Sequence, residues 1–162
     1  MTTLKQQYTP KESKVKIAKF CAYQERCHQE VRDKLYSYGL LPSNVEEIIY
    51  ELIQEDFINE ERFAKAFVRG KFNYKKWGRI KITQELKKRK ISKYCIAKGL
   101  DEINDEKYQS VLTEILNKKL KQLPSLKEYQ KNYKAVQFAL SKGFESTVAW
   151  SIINSKKIEG TH

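Results

Sequence analysis

The sequence predicts an all-α fold of three tandem three-helix repeats laid out as an array, and three observations carry that expectation. First, one apolar pattern occurs three times. Val31, Leu35, Leu40, Val45, Ile49 and Leu52 recur 51 residues later as Ile82, Leu86, Ile91, Ile96, Leu100 and Ile103. A further 53 residues on, the positions are Ala135, Ala139, Phe144, Ala149, Ile153 and Lys156, so five of six stay apolar. Each copy has an i, i+4 pair, a short break and a second helical stripe. Second, no period-2 run persists and no Asn-Gly turn occurs, so strand signals are absent. Third, Pro10, Pro42 and Pro124 fall outside the helical stretches, whose interiors a proline would break. Such a unit cannot bury its apolar face alone; it needs its neighbours stacked against it, and the stack offers an extended surface.

Nine helices follow, three per unit. The first, about Ser13 to Gln24, has Val15, Ile17, Phe20, Cys21 and Tyr23 as apolar contacts. The second, His28 to Tyr38, stops at Gly39, which takes the left-handed conformation that ends helices. Pro42 and Ser43 open the third, where Ser43 and Glu46 have capping-box spacing, and it ends near Asp56. Asn59 caps the fourth, with Glu60 and Glu61 favourable to the helix dipole and Phe63, Ala64, Phe67 and Val68 as its buried stripe. Gly70 interrupts that stripe, which points to close helix packing. Trp77-Gly78 breaks the chain before the fifth, Arg79 to Arg89. Ser92 caps the sixth, which runs to about Asn104. The seventh, Asp105 to Gln122, buries Tyr108, Val111, Leu112, Ile115, Leu116 and Leu120. Ser125 and Glu128 repeat the capping-box spacing at the eighth, Gly143 stops it, and the ninth occupies Glu145 to Lys156. The repeats are expected over residues 13–56, 57–104 and 105–157, between a flexible N-terminus of residues 1–12 and a frayed C-terminus of residues 158–162.

At 162 residues the chain is long enough to bury roughly 70% of its unfolded surface without a disulfide or metal staple. Forty per cent apolar and 32% charged residues are ordinary for a soluble helical protein. No run approaches the ~18 apolar residues of a membrane span, and Met1–Pro10 lacks a signal-peptide core, so a cytoplasmic protein with no membrane partner is expected. Cys21, Cys27 and Cys95 are odd in number and lack C-x-x-C spacing. Together with His28 two of them could be imagined as metal ligands, but a fourth ligand is missing and buried thiols are the better reading. No cofactor is called for, and a monomer is the expected state.

The net charge of +12 is unevenly spread. Lys65 to Lys93 holds twelve bases and one acid, Glu85. Immediately before it, Glu46 to Glu61 holds seven acids and no base. A basic stripe beside an acidic one implies a polyanionic partner, a protein of complementary surface, or both. The expected contact residues are Arg69, Lys71, Lys75, Lys76, Trp77, Arg79, Lys81, Lys87, Lys88, Arg89, Lys90 and Lys93. Phe67 reads as core, whereas Trp77 beside Gly78 would present an indole to a nucleobase or a protein pocket. Ile82 to Leu100 also reads as a helix-turn-helix with Lys93, Tyr94 and Lys98 on the reading helix. The same two-helix pattern recurs around Val31 and Ala135, where the surface is not basic. A packing repeat explains all three copies, and a DNA reader explains one. No Gly-rich phosphate loop, nucleophile elbow or H-E-x-x-H occurs, and His28 is the only internal histidine, so no enzyme is expected.

Arg26 and Glu30-Val31-Arg32-Asp33-Lys34-Leu35, with the later runs Phe57 to Ala64, Gly78 to Ser92 and Lys142-Gly143-Phe144, resemble in order the motifs of the RecX family, bacterial regulators of the RecA recombinase. The first is similar to its R-x4–5-E-L-R-x-K-L. Phe57-Ile58-Asn59-Glu60-Glu61-Arg62-Phe63-Ala64 resembles F/Y-L/I-D/N-D/E-x-R-F-A. Gly78, Lys81-Ile82 and Glu85-Leu86 fit G-x-x-R-I-x-x-E-L, followed by Ile91-Ser92, and Lys142-Gly143-Phe144 looks like R-G-F/Y. Cys27 stands where the family usually has a capping serine, Arg79 where a proline is common and Lys90 where a glycine is common. The resemblance implies an elongated, curved array that binds along the groove of the RecA–single-stranded DNA filament. It implies damping of recombinase, ATPase and coprotease activities in DNA repair, recombination and the SOS response. The alternative is a direct nucleic-acid-binding protein, either a single-strand binder or a helix-turn-helix transcription factor.

Overall fold

The apolar repeat is a repeat of burial. Of its eighteen positions sixteen are buried, Leu100 is half-buried, and the Lys156 side chain lies outside the described residues. The computed structural model describes residues 7–159, which contain nine α-helices and no strand. Unit 1 comprises α1 (Pro10–Tyr23), α2 (His28–Ser37) and α3 (Pro42–Gln54). Unit 2 comprises α4 (Glu60–Asn73), α5 (Arg79–Lys88) and α6 (Lys93–Leu100). Unit 3 comprises α7 (Asp105–Gln122), α8 (Glu128–Ser141) and α9 (Ser146–Glu159). In each unit the first helix packs across the other two.

Several helix ends differ from the sequence expectation. α1 begins at Pro10 because the Thr9 side chain accepts the Glu12 N–H at 3.1 Å and proline suits the first turn. Residues 10–12, expected to be flexible, are therefore helical, and the Gln7 N–H donates to the Tyr38 carbonyl at 2.9 Å. Neither Ser-x-x-Glu box forms. α3 is entered through Leu41 and Pro42 with no side-chain cap, and Glu46 turns instead to Arg32 at 2.8 Å. α8 starts only at Glu128, too late for Ser125 to cap it. α6 stops at Leu100, and Asn104 caps α7 by accepting the Lys107 N–H at 2.9 Å. Asn59 and Ser92 cap α4 and α6 as expected. At the other end α9 continues through Glu159; residues 160–162, part of the expected frayed tail, lie outside the described residues.

The glycines also change roles. A Cβ on Gly70 would meet nothing within 4 Å, so no close packing occurs there. Gly99 is the close-packing residue: a Cβ would lie 2.9 Å from the Ala64 carbonyl oxygen, which is why α6 sits tightly on α4.

Two hydrophobic cores result. Unit 1 has its own, built on Ile17, Val31, Leu35, Val45, Ile49, Leu52 and Ile58. Units 2 and 3 share one continuous core from Phe63 to Ile153. The shared core is closed by backbone: the Gly78 N–H donates to the Lys142 carbonyl at 2.8 Å and the Ile80 N–H to the Gly143 carbonyl at 3.0 Å. A Cβ on Gly78 would stand 2.3 Å from the Gly143 carbonyl carbon, and Gly143 itself has φ +94°. Only glycine fits either place. The joint between units 1 and 2 is made of side chains. Cys27 inserts into the shared core, and Arg62 reaches Glu25 at 2.6 Å and the Asp56 carbonyl at 3.0 Å.

Candidate binding interface

Helix phase builds the exposed face of unit 2. Phe67 and Lys71 are one turn apart on α4, Trp77 follows the end of α4, Lys81 lies on α5, and Arg89 caps the end of α5. The Arg89 guanidinium lies 4.8 Å from the Phe67 ring, and the Lys71 ammonium 5.4 Å from Phe67 and 4.8 Å from Trp77. The Lys81 ammonium completes the row 4.4 Å from Trp77. Cations and aromatic rings thus alternate through Arg89, Phe67, Lys71, Trp77 and Lys81. Each contact contributes about 0.5–1 kcal/mol at an exposed site and fixes where the charge stands. Phe67, expected in the core, is half-buried and part of this ladder. At its Arg89 end the ladder borders a groove of 340 Å³ between units 1 and 2, lined by Glu25, Glu30, Phe63, Phe67, Lys71 and Arg89 among others.

The remaining expected contact residues separate into three groups. Arg79 is drawn inward. Its backbone N–H donates to the Tyr108 hydroxyl at 3.1 Å, its guanidinium covers the Tyr108 ring at 3.9 Å, and it pairs with Glu145 at 3.2 Å and with Asp105. The Tyr108 hydroxyl donates to Glu145, and burial, then that bond, pushes its ionisation far above the ordinary tyrosine range. Arg69, Lys88 and Arg89 are also compensated, the first by Glu102 at 3.5 Å and the other two by Glu85 at 3.1 Å each. Hydrogen bonds from Lys88 and Arg89 hold the Glu85 carboxyl below its usual range. Lys75, Lys76, Lys87, Lys90 and Lys93 are exposed, and with Lys71 and Lys81 they form no ion pair among the described residues. Lys76 and Lys90 hold positive φ, 55° and 61°, where a side chain costs about 1–2 kcal/mol.

A second basic feature escaped the sequence reading. Lys75 and Lys76, at the end of α4, face Lys118 and Lys119 of α7 and Lys142 after α8 across a cleft of 320 Å³. Tyr74, Ile115, Gln122 and Phe138 complete its walls, Glu114 is its one carboxylate, and the Lys119 ammonium lies 4.7 Å from the Phe138 ring. A count of charge along the chain misses it because its lysines come from three segments. The signal was helix phase: Ile115, Lys118, Lys119 and Gln122 share one face of α7.

Cys21, Cys27 and Cys95 are buried free thiols whose ionisation burial pushes up, that of Cys21 to about 11. Thiols held protonated in this way are poor nucleophiles and ligands. Among the described residues no cluster of three His, Cys, Asp or Glu side chains is placed to hold a metal, and no helix is long and apolar enough to cross a membrane.

Comparison with known proteins agrees with this architecture. Residues 59–100 match the model of the second three-helix domain of RecX, and residues 105–153 that of the third. The regulatory protein RecX of Oceanobacillus iheyensis is 30% identical over 135 residues, covering 83% of this chain and 49% of its own. That of Clostridium tetani is 30% identical over 138 residues, covering 84% of this chain and 63% of its own. The chain thus spans about half the length of the first of these relatives. The crystal structure of RecX from Lactobacillus salivarius superposes with a TM-score of 0.83 at 26% identity, over 92% of this chain and 97% of that one. The repeated three-helix units, the paired Gly78 and Gly143 that join two of them, and these matches agree: the chain belongs to the RecX family.

Proposed function

We propose that the chain is a non-catalytic, cytoplasmic regulator that docks on the RecA–single-stranded DNA filament and damps its activities. The observation that carries this reading is the ladder of Arg89, Phe67, Lys71, Trp77 and Lys81, set among uncompensated lysines on a member of the RecX family. Tryptophan, phenylalanine and arginine held in place by their neighbours are the composition of a protein-binding hot spot. The surrounding lysines supply the long-range attraction that speeds encounter with an acidic polymer. Nothing in this assembly moves a proton or activates a nucleophile; its role is to bind.

The test is the single-stranded-DNA-dependent ATPase of RecA, titrated with this protein at physiological salt beside a measurement of its binding to the same DNA alone. Inhibition is expected well below the concentration that coats bare DNA. Inhibition that appears only once the DNA is covered would overturn the reading in favour of a direct nucleic-acid binder.

A further inference from the structure

The ladder and the cleft differ in chemistry, and the difference assigns them different partners. The ladder carries an arginine already held by Glu85 and Glu30 and borders a groove that also holds Glu25. The cleft is lysine on three sides: five ammonium groups to one carboxylate, none of the five in an ion pair among the described residues. An ammonium group is a strongly hydrated point charge, costly to desolvate without a counter-charge, and the cleft supplies only Glu114. Phosphate oxygens are the ligand such charges suit, because they stay partly solvated and release counterions on contact. Tyr74 and Phe138 add ring faces beside the ammonium groups, the pairing found where unstacked bases lie against a charged groove. The volume of 320 Å³ lies within the ~300–1,000 Å³ range of clefts that take a small ligand.

Backbone strain at one of the cleft lysines is a second observation, shared outside the cleft by Asp56 and Lys90. Lys76, on its wall, is held at φ 55°, a conformation a glycine would adopt without strain. Strained non-glycine residues gather where the side chain is needed. Here the retained side chain is an exposed lysine that lines the cleft together with four others, and crowding of like charge is relieved by a bound anion.

We propose that the cleft between units 2 and 3 grips the phosphodiester backbone of single-stranded nucleic acid directly, as an anchor separate from the protein-facing ladder. The proposal rests on the reading above for the setting in which the strand is met. Its test does not. Labelled single-stranded oligodeoxythymidine is titrated with the full chain by fluorescence anisotropy across a salt series, with a duplex of equal length in parallel. The variant K118E/K119E/K142E should bind the single strand at least about tenfold more weakly and lower the slope of log K against log salt by about 2. The unit 1 variant K11E, outside both the cleft and the ladder, should stay within about twofold of the unaltered chain. An unchanged affinity in the helical triple variant, tighter binding of the duplex, or no binding by the unaltered chain would each overturn the proposal. Should the triple variant lose its helical circular dichroism, K118Q/K119Q replaces it, with an expected loss of about threefold; no loss overturns the proposal equally. RecA ATPase damping is measured on the same samples. Strand binding without damping would overturn the proposed function and leave the cleft standing.

Discussion

Units 1 and 2 are built on the same apolar template, yet they use charge in opposite ways. Four of the five acids from Glu46 to Asp56 are consumed within the fold: Glu46 meets Arg32, Glu51 and Glu55 share Lys14, and Asp56 meets Arg62. Of the twelve bases that follow, Lys71, Lys75, Lys76, Lys81, Lys87, Lys90 and Lys93 have no such partner among the described residues. An acidic run and a basic run look equivalent along the chain, and folding cancels one while leaving the other. The field of unit 2 is therefore available to a partner and that of unit 1 is mostly spent. The cores differ in parallel, since unit 1 closes on itself and unit 2 is completed by unit 3.

Breaking the shared core should have the largest effect. In Gly78→Ala the new methyl group meets the Gly143–Phe144 backbone at 2.3–2.4 Å, where no side chain can swing aside. A loss of about 3 kcal/mol is expected, the upper range for overpacking. Hydrogen exchange should show the loss in α5, α7 and α8, with α1 to α3 protected as before. Uniform acceleration through all nine helices would mean that the two cores unfold as one.

Charge reversal sharpens the electrostatic half of the comparison. On the proposed function, K71E/K81E/K87E should weaken docking on the RecA filament on the order of a hundredfold, because like charges set against a partner's surface cost several kcal/mol. Glu47→Lys in unit 1 should leave it within about twofold. Equal losses in both would show that net charge alone governs the encounter.

How much of this was legible in the sequence depended on whether the signal was local. The stripes were readable because burial follows a 3.6-residue period within one helix, and Val31, Ile82 and Ala135 each found the core. Asn59 and Ser92 were readable as caps because a cap acts within three residues. What failed was long-range. Glu46 had capping spacing, but Arg32 on the neighbouring helix offered it a stronger bond. Arg79 counted toward the basic stripe until Asp105 and Glu145 arrived from unit 3. The cleft needed α4, α7 and α8 brought together before its lysines became neighbours.

Alkaline titration separates the cores by a smaller margin. In unit 1 burial raises the Cys21 thiol from an ordinary 9.0 to about 11. Between those values the unfolded chain has lost a proton that the folded chain keeps, so stability is full below pH 9 and falls as pH rises toward 11. The slope is about 1.4 kcal/mol per unit, giving a loss of roughly 2–3 kcal/mol at the top of the window. Denaturation midpoints at pH 8 and pH 11 should therefore converge in Cys21→Ala relative to the unaltered chain. An identical pH dependence in both would place the alkaline loss elsewhere, Cys27, Cys95 and Tyr108 in the shared core and Tyr38 in unit 1 being shifted in the same direction.

The smallest effect tests whether unit 2 gives up stability for charge. The turn that ends the second helix of each unit needs a left-handed residue. Units 1 and 3 use Gly39 at φ 83° and Gly143 at φ 94°, and unit 2 uses Lys90 at φ 61°. A lysine there is strained by about 1–2 kcal/mol, whereas glycine would cost some tenths through its freer unfolded chain. Lys90→Gly should accordingly stabilise the protein by about 1 kcal/mol, read as a higher urea midpoint with unchanged slope. The same variant should lose a few-fold in filament affinity, since it deletes one uncompensated exposed cation. The reciprocal Gly39→Lys should destabilise unit 1 by a similar amount and add no binding, because that turn lies outside the basic face. Stabilisation without loss of binding would leave the strain at Lys90 without a function and narrow the interface to the ladder and the cleft.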